Sequence, residues 1–473
     1  MTVVDPSLPP SSPNRASSAG DDDRGKSRSS AWRRFLLTFI LLGLALRFVL
    51  AAICWGTNDA NTFGQFGFYI TRDGLIETYL HDTWLNHPPI PSYWCAAAWR
   101  LTMPLKTVYD TDIGDSVLDA SHIRQDTPGR WFSAVFKLPS LLADCATAWL
   151  LYRLWASRAG QTRALAVSAM YAWSLVAILV CGYHCNTDPI YAFLCLLCVY
   201  LLQDRRASFL GGLALAAAIN VKLTPVLLIP PLLLWHQCLK SAAKFILGLA
   251  VGALPFVPVF FFAGKAFYAN AIAYKSNPDN WGITYLLMRF DHPPDGLYEF
   301  VATDHPLARV YFNFGRYGVL ALIGAWAVFA RLRGRKGAAS STLSHRNGLR
   351  SKEPAYDTYT LAAVTLSIFL FFTPGFGVQY TVMVLPLLFA IWPGMANAYG
   401  LAAGLFIGII YWAHWPGHHW PPDSQFKGMC PWPSPLYGLV AWGLLGYFML
   451  RAVFMRRDQL GYISFAGDKL SGK

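Results

Sequence analysis

Charge is scarce in this chain. Only 14% of its 473 residues are Asp, Glu, Lys or Arg, while 55% are hydrophobic and 15% aromatic. Soluble domains carry about one quarter charged residues, so a single water-soluble core is excluded and the composition is that of an all-α polytopic membrane protein. Acids are the scarcer sign, 26 against 39 Lys and Arg, which leaves a net charge of +13. That excess does not imply a nucleic-acid partner, because the bases fall in short clusters between apolar runs, as in loops that orient membrane proteins. Metal-ligand spacing is also lacking. Among nine cysteines the only CxxC, Cys195 to Cys198, lies inside an apolar run with no second pair or histidine at ligand spacing, so it reads as packing. No carboxylate cluster demands a metal, and no internal repeat is visible.

What is present is a series of apolar runs. Spans placed near 35–54, 133–152, 164–182, 190–202, 207–220, 223–238, 245–262, 307–330, 358–372, 380–392, 396–413 and 434–450 give about twelve crossings, some of them short. With the amino terminus inside, the inner segments hold 25 Lys and Arg in 105 residues and the outer ones 10 in 158, a bias that fits the positive-inside rule. Residues 1–34 then read as a disordered cytoplasmic tail, 35–452 as the transmembrane domain and 453–473 as a second cytoplasmic tail. Within the domain, 331–357 is a basic cytoplasmic linker and 55–132 one long outer loop. The apolar stretch from Pro89 to Leu105 reads as an interfacial helix begun by His87-Pro88-Pro89, since counting it as a span would spoil the charge alternation.

This topology gathers the unusual polar residues on the outer side. Asp59, Asp73 and His87 fall in the long loop, His184, Asn186 and Asp188 in GYHCNTDP, and Lys222 in INVKLTP. Lys275 and Trp281 lie in YKSNPDNWG, and Gln379 and Tyr380 in TPGFGVQY. Simpler readings stand beside a functional one. Asp59 also suits an Asx turn, Asp188 before Pro189 a helix N-cap, Lys222 a snorkelling lysine, His184 a hydrogen-bonded interfacial residue and Trp281 the aromatic belt. Deeper charges include Arg47, Asp144 and Arg316; Arg47 and Asp144, on consecutive spans, are expected to form a structural ion pair, while Lys137 and Arg309 are near enough to outer ends to snorkel.

The order of these motifs carries a resemblance. An Asp soon after the first span, then HPPIPSYW, KLPSLLADCATAWLLYRL, GYHCNTDP, GGLALAAAINVKLTPVLLIP and TPGFGVQYTVMVLPLLF, resembles the GT-C glycosyltransferases over residues 31–450. Within that superfamily the chain is most similar to the lipid-linked-oligosaccharide glucosyltransferases that use dolichyl-phosphate-glucose, and to their bacterial relatives. It differs from the eukaryotic members in having His87 before the two prolines and CNTDP after His184. The resemblance implies inverting transfer of a hexose, glucose or mannose, from a polyprenyl-phosphate donor to a lipid-linked, glycan or protein acceptor, without cofactor or metal. The outer face would be the periplasm of a bacterial inner membrane or the lumen of the endoplasmic reticulum. Asp59 would be the base, and Lys222, His184 and Lys275 would hold the donor phosphate. Asp73, His87, Asn186, Asp188, Trp281, Gln379 and Tyr380 remain as substrate-binding candidates.

A transporter or lipid flippase is the rival reading, though such proteins place paired broken helices and charges near the midplane. The topology has a direct test: a reporter fused after Gly337 is expected to read cytoplasmic and one after Pro416 external. The reverse result at Gly337 would remove the outer-face site.

Overall fold

The computed structural model describes residues 19–82, 85–104, 129–274, 281–289, 306–341, 356–414 and 432–454. Those residues form helices and connecting turns, with no strand among them. The first long helix, α1 (Ala19–Ile53), leads into three shorter ones, α2 (Asp59–Asp73), α3 (Leu75–His81) and α4 (Pro89–Thr102). Next come α5 (Arg130–Ala159), α6 (Gln161–Ala172) and α7 (Leu175–Ala177), which runs on as a π-helical turn over Ile178–Tyr183. The middle of the chain holds α8 (Asp188–Gln203), α9 (Ser208–Val221), α10 (Ile229–Trp235), α11 (Leu239–Gly252) and α12 (Phe256–Phe267). The remainder comprises α13 (Gly282–Arg289), α14 (Pro306–Ser341), α15 (Thr358–Phe372), α16 (Leu385–Ile391), α17 (Pro393–His414) and α18 (Ser434–Phe454).

Five of these helices are long and apolar enough to cross a membrane, and seven spans result if each of two bent pairs counts as one. Five shorter apolar helical stretches accompany them, including α8, α9 and α15. The chain is therefore an integral membrane protein by its helices. Every run read as a span in the sequence overlaps a helix, but two of them are not straight. The 164–182 run bends by 51° after Ala172, and the 245–262 run contains a 69° break between Gly252 and Phe256. At the second break Pro255 lacks the N–H that a continuous helix needs.

Two other boundaries move. α1 already begins at Ala19, within the stretch read as a disordered tail. α14 continues to Ser341, so the start of the basic linker is helical, as its Arg, Lys and Ala residues favour. The interfacial-helix expectation for Pro89 onward is met as a helix, with Pro89 in the first turn and Pro88 as its N-cap residue.

Two apolar cores build the molecule. The larger joins α5 to α11 with α14 to α18; the smaller joins α2, α3 and α4 to the first turns of α5 and to α12. α9 and α11 meet almost backbone to backbone: a Cβ at Gly212 would collide with the Phe245 carbonyl, and one at Gly248 with that of Phe209. Small residues at such crossings are how apolar helices gain packing where lipid offers no hydrophobic drive.

The expected ion pair is present. Arg47 Nε lies 2.6 Å from Asp144 Oδ2, and both side chains are fully buried. The guanidinium also donates to the Gly43 and Ala172 carbonyls, at 2.6 and 2.5 Å, while Tyr171 donates to the other Asp144 oxygen at 2.6 Å. α1, α5 and α6 are thereby fastened through one charge pair. Lys137 corrects the sequence reading. It does not snorkel; it is fully buried and donates to the Cys54 carbonyl at 2.8 Å, because α2 and α4 cover that end of α5.

Removing one partner of such a pair strands a charge. Arg47→Met is expected to destabilise the protein by about 3–5 kcal/mol, and Arg47→Met with Asp144→Leu to recover part of that loss. Unfolding of the purified protein in detergent, followed by circular dichroism, checks the order.

Candidate functional site

The site begins with a turn that only glycine fits. Between α1 and α2 the backbone turns at Gly56, whose φ is 112°, and a Cβ there would lie 2.8 Å from the Tyr183 carbonyl oxygen and 3.1 Å from the Cys185 amide nitrogen. The turn therefore presses against the GYHCNTDP segment, and Asp59, in the first turn of α2, meets His184.

Their contact is direct. His184 Nε2 lies 2.8 Å from Asp59 Oδ2, and His184 Nδ1 lies 2.5 Å from the Tyr411 hydroxyl on α17. The histidine is buried, whereas the Asp59 side chain keeps 38% of its surface open. Burial pushes the Asp59 carboxyl up, but the His184 hydrogen bond and the attraction of the basic groups around it, Lys222 among them, outweigh it and hold the group below its ordinary range. It is thus an anion near neutral pH, half open to a substrate. The Asx-turn reading for Asp59 gives way: the residue opens α2 and its carboxylate points to a histidine.

A second pair stands beside the first. Lys222, directly after α9, lies 2.5 Å from Asp188 Oδ1, and its ammonium sits 4.2 Å from the centre of the Tyr380 ring and 5.6 Å from that of Tyr191. Asp188 therefore does not cap its helix. Thr187 holds the N-cap position, without a side-chain cap, and the Asp188 carboxylate is spent on the lysine. Asp188 Oδ2 is buried with no hydrogen-bond donor among the described residues. The charges of the two pairs act on each other, so they form one electrostatic unit.

His87 faces the same region with its ring edge-on to Phe63, and its Nδ1 is buried without a hydrogen-bond partner among the described residues. Burial, and then the charge of Lys222, lower its proton affinity to about pKa 4 against the opposing pull of Asp59, so the ring is neutral at physiological pH. Asn186 shapes the turn: its side-chain oxygen accepts from the Asp188 amide at 2.8 Å and its carbonyl from Ser140 at 2.7 Å. Tyr380 and Gln379 lie half-buried on the 3-10 turn Val378–Val382, with Tyr380 against Lys222.

Three candidates stand apart. Trp281 is in the larger core, 2% exposed, stacked 4.5 Å from Phe376 and donating to the Leu370 carbonyl. Asp73 ends α2, about 21 Å along the helix from Asp59, where it pairs with Arg72 at 2.6 Å. Lys275 lies outside the described residues. Among the described residues no group of three or more His, Cys, Asp or Glu is arranged to hold a metal ion.

With this geometry, one comparison is informative. Residues 131–344 match the family model of glycosyltransferase family 87. The match supports a membrane glycosyltransferase. It runs from α5 to α14 and so contains His184, Asp188 and Lys222, while Asp59, Tyr380 and Tyr411 lie outside it. No curated protein matches the chain. Sequence reasoning missed Tyr411, which sits in an apolar run as any belt aromatic would. It also missed the polar face of α5, although Ser133, Lys137, Ser140 and Asp144 recur at helical spacing and could have been found that way.

The tight turn has a measurable consequence. Gly56→Ala forces a side chain into a left-handed backbone and against the Tyr183 carbonyl, so Asp59 should separate from His184. A misplacement of that size costs on the order of 100-fold in rate, readable in a transfer assay alongside an unfolding scan.

Proposed function

We propose that the chain transfers a hexose, with inversion, from a polyprenyl-phosphate donor to an acceptor hydroxyl on the outer face of the membrane. The observation that carries this reading is the pairing, from separate helices, of a half-open carboxylate on a histidine with a lysine beside aromatic rings. The family match supports transfer of a sugar. The nature of the donor, the inversion and the outward-facing site rest on the motif order and the charge bias.

In this mechanism the acceptor oxygen attacks C1 of the donor sugar as the bond from C1 to the phosphate oxygen breaks. The bonding electrons leave on the phosphate, and the hydroxyl proton passes to Asp59. His184 occupies Asp59 Oδ2, which leaves Oδ1 for the acceptor. A carboxylate held below its ordinary range is a weak base; it orients the hydroxyl by accepting its hydrogen bond and takes the proton as the new bond forms. Lys222, aimed by Asp188, meets the departing phosphate charge, where preorganised positive charge is most effective. His87, neutral, can donate or accept a hydrogen bond to the sugar. Tyr380 and Gln379 border the space beside Lys222.

Asp59→Asn keeps the size and removes the basicity. Transfer from short-chain polyprenyl-phosphate hexoses is expected to fall about 10²–10⁴-fold while donor binding persists, and Lys222→Ala to weaken donor binding or leaving-group departure instead. Loss of the Asp59 anion should not itself lower the wild-type rate between neutral pH and about 4, where an ordinary carboxylate titrates, because Asp59 stays ionised until below that point; a rate profile of wild type beside Asp59→Asn checks it. Near-normal turnover in Asp59→Asn with loss in Asp188→Asn would move the base to Asp188; no transfer from any donor in a full panel would overturn the reading.

A further inference from the structure

At the end of α10, among residues that the transfer site does not use, two buried donors lack acceptors. Trp235 Nε1 and His236 Nε2 are buried with no hydrogen-bond partner among the described residues, on side chains only 9% and 6% exposed. The rings are neighbours, 5.3 Å apart between centroids. An indole N–H can only donate, and a buried donor left unmade forfeits the hydrogen bond that water would give it.

The surroundings prepare the second donor. His236 Nδ1 lies 2.8 Å from the Ser241 hydroxyl, which is 2.7 Å from that of Ser208. Burial lowers the affinity of the ring for a second proton, to about pKa 4, so it is neutral. When Ser241 donates to Nδ1, the single ring hydrogen sits on Nε2, and an acceptor placed there selects that tautomer.

Positive charge lies close to both residues. The Arg206 guanidinium is 5.9 Å from the Trp235 ring centre, and Arg206 holds a φ of 53°, the one non-glycine residue in the left-handed region among those described. Arg331, from α14, donates to the His236 carbonyl at 3.4 Å. Strain of this kind at an exposed cation is a cost that a bound partner would offset. The donors close α10, and the segments around them, 203–206 with Arg206, the start of α11 with Ser241 and the part of α14 with Arg331, are ones that the charge bias assigns to the inner face or its border. Leu239 is 86% exposed and Leu332 50% exposed, so apolar surface borders the polar one.

We propose that Trp235, His236 and Arg206 form a binding site for a phosphate group at the inner face, separate from the transfer site. Two N–H donors and a guanidinium match the oxygens of a phosphate ester. The exposed leucines are suited to the acyl chains of an anionic phospholipid carrying that group. Free phosphate presents the same oxygens without the chains. The inference does not depend on the transfer chemistry.

The test uses the full chain in phosphatidylcholine nanodiscs. Unfolding midpoints and lipid retention in native mass spectrometry are followed as phosphatidylglycerol replaces phosphatidylcholine, and in a second arm as inorganic phosphate is added. A saturable rise of several degrees with phosphatidylglycerol alone identifies a lipid headgroup; the same rise with inorganic phosphate, and no more with the lipid, identifies a free phosphate. Either supports the site provided that Trp235→Phe, which keeps a large ring, and Arg206→Gly, which relaxes the backbone, each weaken the response about tenfold or more. Both variants should unfold normally without the anion. No rise in either arm, or a rise that both variants retain in full, would overturn the proposal.

Discussion

One helix face carries the turns that build the candidate site. Ser133, Lys137, Ser140 and Asp144 follow one another at four, three and four residues along α5, so they line a single stripe. Ser133 donates to the Trp55 carbonyl and Lys137 to that of Cys54, which hold the turn that delivers Asp59. Ser140 donates to the Asn186 carbonyl and so holds the turn that delivers His184 and Asp188. Asp144 takes Arg47 and fixes α1 itself. In a low-dielectric interior none of these groups can be left unmet, so each bond is strongly preferred and the two turns have little freedom to drift apart.

Above that stripe, the two charge pairs differ in their exposure, and the difference gives each its role. Asp188 and Lys222 are nearly enclosed and neutralise each other, which lets an ammonium stand beside tyrosine rings near the end of an apolar helix without the full cost of an isolated charge. Asp59 and His184 are an unequal pair, the histidine sealed and the carboxylate half open. An anion and a shielded cation therefore stand side by side, the arrangement that the proposed transfer, which creates negative charge on one oxygen while removing a proton from another, would use.

Much of this was legible from the order of short motifs. The residues brought together, Asp59, His184, Asp188, Lys222 and Tyr380, sit where apolar runs give way to brief polar turns, and such turns can only converge at the ends of packed helices. The pairing of Arg47 with Asp144 also followed, because deep charges on adjacent spans have few alternatives. Individual roles were harder. An Asp before Pro reads as a helix cap wherever it occurs, and only the position of Lys222 reveals that Asp188 serves a lysine. Trp281 reads as a belt aromatic or a site residue until the loop at Phe376 folds over it. Lys137 looked free to reach water because nothing in the local sequence tells that α2 and α4 cover the end of α5.

The stripe on α5 binds its partners through main-chain oxygens. A carbonyl is the same whatever side chain its residue bears, so Cys54 and Trp55 are held by a feature that substitution at those positions cannot remove. The donors on α5 have no such latitude, since each supplies a particular reach and hydrogen count. Sequence drift in this region should thus be lopsided: in the turn the fixed point is Gly56, whose backbone admits no side chain, while along α5 every donor of the stripe is constrained.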